Sequence, residues 1–127
     1  ETKKAALWAE ESGFDSFWLM DHFIQLPMLG EADEPFIEGW TGIAALAAVT
    51  SKIRLGTLVT GAPYRNPALL AKMAASLQTL SDGRFIFGIG AGWRGEEEER
   101  AASAARSTTS GGKARTLAAS RSAERAR

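Results

Sequence analysis

The feature that most constrains the fold is a short apolar run that ends in a turn-rich loop. Residues 53–67 read IRLGTLVTGAPYRNP, and Ile53, Leu55, Leu58 and Val59 make the first part a nearly continuous apolar segment of strand length. A strand covered by helices on both faces of a parallel sheet has this character, whereas a strand with one solvated face alternates apolar and polar residues. The run therefore predicts a central parallel strand in which these four side chains are buried.

Helical and strand patterns alternate on both sides of this run. We predict helices at residues 2–12, 40–49 and 67–80, strands at residues 14–20 and 84–89, and the start of a further helix at residues 96–99. Asn66 is a suitable N-cap, and Pro67 suits a first helical turn. Alternation at this spacing is typical of right-handed βαβ units around a parallel sheet. Because α/β proteins place their chemistry where strands end, residues 57–66 are the first candidate region.

The length of the chain limits what it can contain. Its 127 residues suffice for one modest domain, whereas a complete (β/α)8 barrel typically needs about 250. The sequence has no cysteine, which excludes disulfides and thiolate metal sites. It has no apolar run of about 18 residues and no signal-peptide pattern, so we expect a soluble, cytoplasmic protein without a membrane partner. Because Glu1 falls inside a helical pattern, we expect that a first strand is missing.

Charge is distributed unevenly along the chain. Residues 1–99 hold 8 Lys or Arg and 14 Asp or Glu, a net charge of −6, whereas residues 100–127 hold 7 basic residues and only Glu124, a net charge of +6. We predict a domain at 1–99, followed at 100–127 by a low-complexity tail that is disordered, at best a loose helix, or translated out of frame. A nucleic-acid-binding arm is the less favoured interpretation, because the tail has neither aromatic residues nor an amphipathic face.

His22 is the only histidine in the chain and directly follows a predicted strand. A histidine can donate or accept a proton near neutral pH, and the adjacent Asp21 can orient it. On position alone, a catalytic histidine and an ordinary loop histidine are about equally supported.

Two glycines and a tryptophan follow the last predicted strand. Gly90 and Gly92 would let backbone N–H groups approach a phosphate or cofactor, and Trp93 could stack on a planar ring. The alternatives are a tight turn for the glycines and a core position for the tryptophan. Residues 96–99 are four consecutive glutamates, which point in different directions on a helix, so we predict no metal site there.

Taken together, these residues resemble a known family. The segment DSFWLMDHF and the longer segment from Trp40 to Trp93, whose most specific part is Thr50 to Trp93, resemble the bacterial-luciferase-like superfamily, in particular its branch of oxidoreductases that use coenzyme F420. The resemblance covers roughly residues 3–98. It implies a TIM barrel of which this chain supplies strands two, three and four with their helices.

The resemblance also implies roles for individual residues. His22 matches the catalytic histidine beside the deazaflavin and the substrate, and Asp21 matches its cofactor-contacting neighbour. Leu58 and Val59 match a non-prolyl cis peptide that supports the ring. The full set of cofactor-binding positions implied in this way is Asp21, Leu58, Val59, Thr60, Gly90, Gly92 and Trp93.

The chemistry implied is hydride transfer between coenzyme F420 and a small organic substrate, with His22 moving a proton to or from the substrate oxygen. The alternatives are an FMN-dependent monooxygenase and a non-catalytic remnant of such an enzyme. Because three strands cannot close a barrel, we expect no turnover by this chain alone. Full-length relatives are expected to form homodimers, and no nucleic-acid partner is expected.

Overall fold

A computed structural model describes residues 1–31 and 34–92 of the chain. Trp93, the helix predicted at residues 96–99, the domain boundary predicted after residue 99 and the tail predicted at residues 100–127 lie outside these described residues. The helices are α1 (Thr2–Glu11), α2 (Gly39–Ala47) and α3 (Pro67–Leu80), with a short 3-10 helix at Ala62–Tyr64. The strands are β1 (Ser16–Leu19), β2 (Arg54–Thr57), β3 (Thr60–Gly61), β4 (Phe85–Ile86) and β5 (Ile89–Gly90).

All strand pairs in the described part of the chain are parallel. One sheet has the order β1-β2-β4, and a second sheet pairs β3 with β5. In the first sheet Phe17 lies beside Leu55, which in turn lies beside Phe85. Helix α2 connects β1 to β2, and α3 connects β3 to β4. The prediction of an α/β chain with a parallel sheet is therefore confirmed.

The central strand is interrupted, which corrects one prediction. β2 ends at Thr57 and β3 begins at Thr60, and the peptide bond between Leu58 and Val59 is cis. Leu55 is fully buried, but Leu58 is 67% exposed and Val59 is 43% exposed. The expectation that both of these side chains are buried was wrong, because the chain leaves the strand at this turn. The cis bond implied by the family resemblance is confirmed.

The strand predicted at residues 84–89 is also interrupted, at a position beside the break between β2 and β3. It forms β4 and β5 rather than one strand, because β4 pairs with β2 whereas β5 pairs with β3. The Thr60 N–H donates to the carbonyl of Gly88 at 2.9 Å, which resumes the pairing beyond the break. The two breaks therefore face each other across neighbouring strands.

The core lies between the sheet and the helices. Ile43 of α2 is 1% exposed and packs with Leu55 of β2. Trp40 is 2% exposed, and its ring centroid lies 5.4 Å from that of Phe85. The buried apolar residues are Ala6, Ala9, Trp40, Ile43, Leu46, Ala47, Ile53, Leu55, Leu70, Leu77 and Phe85. Small alanines on α1 and α2 allow these helices to approach the sheet closely.

Helix starts follow local side-chain capping. Asn66 accepts the N–H of Ala68 through Oδ1 at 2.9 Å, and Pro67 opens α3, so both predictions for this helix start are confirmed. Helix α2 is capped by Glu38, whose carboxylate accepts the N–H groups of Trp40 and Thr41. Sequence reasoning did not identify Glu38 as a cap, since shorter polar side chains are usually found there.

The amino ends of the strands are fixed by two charged side chains. Glu10 of α1 accepts backbone N–H groups from Ile53 at 2.8 Å, Lys52 at 2.7 Å and Ser51 at 3.0 Å. These hydrogen bonds, those from Ile53 and Lys52 above all, outweigh desolvation and lower the pKa of Glu10 to about 2. Arg84, which directly precedes β4, donates four hydrogen bonds to the segment that precedes β2.

Candidate active site

An open cleft lies at the carboxyl ends of β1, β3 and β5. Its volume is about 290 Å³. It is lined by Asp21, His22, Leu58, Val59, Thr60, Gly61, Tyr64, Gly90, Ala91 and Gly92. These residues come from three loops that are distant in sequence, and the parallel order of the strands brings the loops to one edge of the structure. The described residues predicted to bind cofactor or substrate therefore all lie around one cleft.

His22 contributes to two neighbouring cavities. It lines the main cleft and also a smaller cavity of about 100 Å³ that it shares with Phe23, Phe36 and Glu38. The side chain is half-buried. Phe23 in turn packs on Tyr64, with 4.5 Å between ring centroids. His22 thus borders two cavities, and a molecule bound in the main cleft could lie within hydrogen-bond reach of its ring, as proton exchange requires.

Asp21 is buried beneath the cleft and is held by the protein itself. Its side chain is 1% exposed, and Oδ2 accepts the N–H of Gly61 at 3.0 Å. Arg65 donates from Nη1 to Oδ2 and from Nη2 to Oδ1, each at 2.7 Å. Both oxygens of Asp21 therefore already accept hydrogen bonds from the protein. The carboxylate serves mainly to position the neighbouring chain segments, and less to bind a ligand.

Glu38 extends this arrangement into a partly buried charge cluster. Arg65 donates from Nη2 to Oε1 of Glu38 at 2.6 Å, and the guanidinium carbon lies 5.5 Å from the centroid of the Trp40 ring. Burial acts to raise the pKa of Glu38, but the N–H and hydroxyl groups of Thr41, the N–H of Trp40 and the charge of Arg65 together lower it. Burial likewise opposes the charge on Arg65, yet the two carboxylates raise its pKa.

Leu58 and Val59 form the apolar part of the cleft. Both line it, and both leave a large fraction of their side chains exposed. Thr60 behaves differently: it is fully buried, and its hydroxyl shares a hydrogen bond of 2.7 Å with the hydroxyl of Thr57. Thr60 therefore supports the Leu58–Val59 turn from below.

Glycines keep the other side of the cleft free of side chains. A Cβ at Gly90 would lie 2.8 Å from Cγ2 of Val59, closer than carbon atoms normally approach. Gly92 has φ +80, and a Cβ there would lie 3.2 Å from Cγ of Pro63. Both predicted glycines thus line the cleft where side chains are poorly tolerated. The predicted stacking of Trp93 falls outside the described residues.

Sequence reasoning missed several cleft residues. Gly61, Tyr64 and Ala91 line the cleft, and Arg65 and Glu38 form the charge cluster behind it. The candidate region predicted at residues 57–66 does contain Gly61, Tyr64 and Arg65. Their individual roles were not predicted. The pairing of Arg65 with Asp21 joins residues 44 positions apart, which no local pattern indicates.

Neither a metal-binding cluster nor a membrane-spanning helix is present among the described residues. Among residues 1–31 and 34–92, no group of three or more His, Asp or Glu side chains is arranged to hold a metal ion. Within these ranges, no helix has the length and apolar character needed to cross a membrane.

Comparison with known proteins assigns the chain to a family. The family model described as luciferase-like monooxygenase matches residues 1–118, which is most of the chain. The chain is a member of the luciferase-like monooxygenase family. The family resemblance drawn from the Thr50–Trp93 segment is therefore confirmed.

Curated relatives of this luciferase-like chain include an F420-dependent dehydrogenase and a ketoreductase. An F420-dependent glucose-6-phosphate dehydrogenase of Amycolatopsis mediterranei is 40% identical over 89 residues, an alignment that covers 68% of this chain and 26% of the relative. A phthiodiolone/phenolphthiodiolone dimycocerosates ketoreductase of Mycobacterium tuberculosis is 38% identical over 97 residues, covering 65% of this chain and 26% of that protein. The chain therefore spans about a quarter of the length of these relatives.

Solved structures of the family include users of both cofactors. The oxygenating constituent of 3,6-diketocamphane monooxygenase from Pseudomonas putida, in complex with FMN, has a TM-score of 0.65 and 28% identity over 79% of this chain and 26% of its own. The coenzyme F420-dependent tetrahydromethanopterin reductase from Methanopyrus kandleri has a TM-score of 0.58 and 30% identity over 73% of this chain and 24% of its own. The luciferase-like fold thus accommodates either cofactor in its known members.

Proposed function

We propose that this luciferase-like chain forms part of the active site of an oxidoreductase that transfers a hydride between coenzyme F420 and a small organic substrate. The observation that carries the proposal is the composition of the cleft, in which His22 lies beside the exposed apolar side chains of Leu58 and Val59. An apolar surface next to a proton-exchanging group suits a planar ring and a substrate that reacts at its face.

The residues present fit a deazaflavin ring. Leu58 and Val59 would contact the ring through their exposed side chains. Gly90 presents backbone rather than a side chain to the cleft, and a Cβ there would collide with Val59. When bound, F420 supplies or accepts two electrons as a hydride.

The protein's own contribution is positioning and proton transfer. His22 exchanges a proton with a hydroxyl or carbonyl oxygen of the substrate, which keeps charge balanced as the hydride moves. The Leu58–Val59 surface excludes water from one side of the reacting atoms. Asp21 holds the backbone next to His22 in place through its hydrogen bond with Gly61.

The first alternative is an FMN-dependent monooxygenase, favoured by the likeness to the diketocamphane monooxygenase with FMN. The second is a product without catalytic activity. F420 is preferred because the relative at 40% identity and the structure at 30% identity are both named as F420-dependent.

Parallel titrations with F420 and FMN, followed by cofactor fluorescence, test the proposal. We expect saturable binding of F420 that Leu58→Asp weakens, because a charge would replace an apolar ring contact. Leu69→Asp is the matched control, since Leu69 is 55% exposed on α3 and does not line the cleft. Binding of FMN alone would favour the first alternative, and binding of neither cofactor would favour the second.

The role of His22 is tested by rate rather than by affinity. F420-linked oxidation of a panel of small alcohols would be measured for the chain and for His22→Ala. Turnover that is lost in the variant while F420 affinity is retained supports proton transfer by His22. Measurable turnover that is equal in the chain and in His22→Ala would contradict it.

A further inference from the structure

We propose that Arg65 is the positioning residue of this cleft, a single guanidinium that joins two of the three chain segments lining the cleft, those after β1 and after β3, and links them to the start of α2. The identity of the ligand rests on the function proposed above, whereas the positioning role of Arg65 does not depend on it. Arg65 follows the 3-10 helix, and its side chain reaches the carboxyl end of β1 and the amino end of α2.

The contacts of Arg65 are short and directional. Two nitrogens of the guanidinium bind the two oxygens of Asp21 in parallel, at 2.7 Å each. The same Nη2 binds Glu38 at 2.6 Å. The side chains of Arg65 and Asp21 are only 9% and 1% exposed, so the two charge-assisted bonds between them lie mostly out of water, where such bonds are strongest. The Glu38 side chain is 38% exposed, so the third bond is partly solvated.

The alignment reaches the cleft through Asp21. Its Oδ2 accepts Nη1 of Arg65 and the N–H of Gly61, so the guanidinium sets the orientation of the group that fixes Gly61. Gly61 lines the cleft two residues after Val59, and His22 is the residue next to Asp21. Moving this carboxylate would therefore move both the apolar side and the proton-exchanging side of the cleft.

Only an arginine satisfies this geometry. A planar guanidinium binds a carboxylate through two parallel N–H bonds and still donates to a second acceptor, whereas a lysine offers one compact charge. The guanidinium also lies over the Trp40 ring, 5.5 Å from its centroid, a favourable cation–π arrangement. A lysine at this position would leave Asp21, with a side chain 1% exposed, incompletely paired.

Arg84 provides a matched comparison within the same chain. Arg65 donates three hydrogen bonds, and Arg84 donates four, to the hydroxyl of Thr50 and to the carbonyls of Ala47, Thr50 and Ile53. These partners precede β2, at the amino ends of the strands, whereas the cleft lies at their carboxyl ends. Arg84→Lys therefore removes a comparable guanidinium network without touching the cleft.

The test compares Arg65→Lys with Arg84→Lys in the full chain. Thermal unfolding is followed by circular dichroism, and F420 and FMN are titrated by fluorescence at a temperature where each variant is folded. We expect Arg65→Lys to weaken cofactor binding by about tenfold, which corresponds to the free energy of roughly one hydrogen bond to a charged group. Arg84→Lys should lower the melting temperature with affinity retained. Unchanged affinity in Arg65→Lys, or an equal loss in Arg84→Lys, would overturn the proposal.

A second readout needs no cofactor. Amide hydrogen exchange and the NMR shifts of Gly61 and the His22 ring are compared in the same variants. In Arg65→Lys, but not in Arg84→Lys, we expect the Gly61 amide to exchange faster and the NMR signals of the His22 ring to shift. If neither change occurs in Arg65→Lys, the proposal is overturned. If the parent chain binds neither cofactor, the proposed function fails while this comparison still decides the role of Arg65.

A further variant keeps the test decisive if Arg65→Lys fails to fold. If Arg65→Lys does not fold, Arg65→Gln is measured in the same way, because its amide still donates to a carboxylate without the charge. If both unfold while Arg84→Lys folds, Arg65 serves global stability and the positioning role is rejected.

Discussion

Thr57 and Thr60 join their hydroxyl groups by a buried hydrogen bond of 2.7 Å directly beneath the Leu58–Val59 turn. Thr57 is 1% exposed and Thr60 is fully buried. The bond therefore connects the last residue of β2 to the first residue of β3 without access to water. It ties together the two strand segments that the turn separates.

Thr57→Val should reduce the free energy of unfolding by about 1–3 kcal/mol, because it leaves the hydroxyl of Thr60 buried and without its hydrogen-bond partner. Thr60→Val should have a similar effect for the same reason. The double variant should lose less unfolding free energy than the two single variants lose together, since replacing both threonines leaves no buried hydroxyl without a partner. Urea unfolding of all four proteins measures this coupling, and strict additivity would contradict a shared bond.

Truncation of Leu55 should cost far more stability than truncation of Leu58, although the two lie three residues apart in one apolar run. Leu55 is fully buried and Leu58 is 67% exposed. Leu55→Ala should therefore lower the free energy of unfolding by about 2–5 kcal/mol, and Leu58→Ala by less than about 0.5 kcal/mol. Denaturant unfolding and F420 titration are measured on both. A large stability loss in Leu58→Ala would show that the side chain is not in the open cleft.

Glu10 should make the stability of the chain depend on pH in the acid range. Its pKa in the folded chain is about 2, below the ordinary value of 4.5, because it accepts backbone N–H groups from Ile53, Lys52 and Ser51. The stabilisation is therefore fully present above pH 4.5 and is lost as the pH falls towards 2. Melting temperature measured across this range should fall more steeply in the parent than in Glu10→Gln. Glu11→Gln, a change at the next residue, serves as the control and should keep the parent's slope.

Local chemistry made part of the fold predictable. Asn66 and Pro67 specify the start of α3 because an N-cap and a first-turn proline act within one turn of helix. The strand ends were also predictable, since parallel strands carry their loops to one edge, and this placed His22 and Gly90 around one cleft.

The rest depended on contacts between distant parts of the chain. Leu55 and Leu58 have the same side chain, so only the turn after Thr57 separates the buried one from the exposed one. The partners Asp21 and Arg65 are 44 residues apart, and either could have been an ordinary surface charge. The cis bond was expected from family resemblance alone, because no residue in Leu58–Val59 favours it over trans.

Arg84 and Glu10 secure the amino ends of the strands, and the cleft occupies the other edge. Substitutions that reshape one edge therefore leave the anchoring of the other largely untouched. In evolutionary terms, a lineage built on this plan can acquire a new substrate by changing loops while inheriting its folding determinants intact.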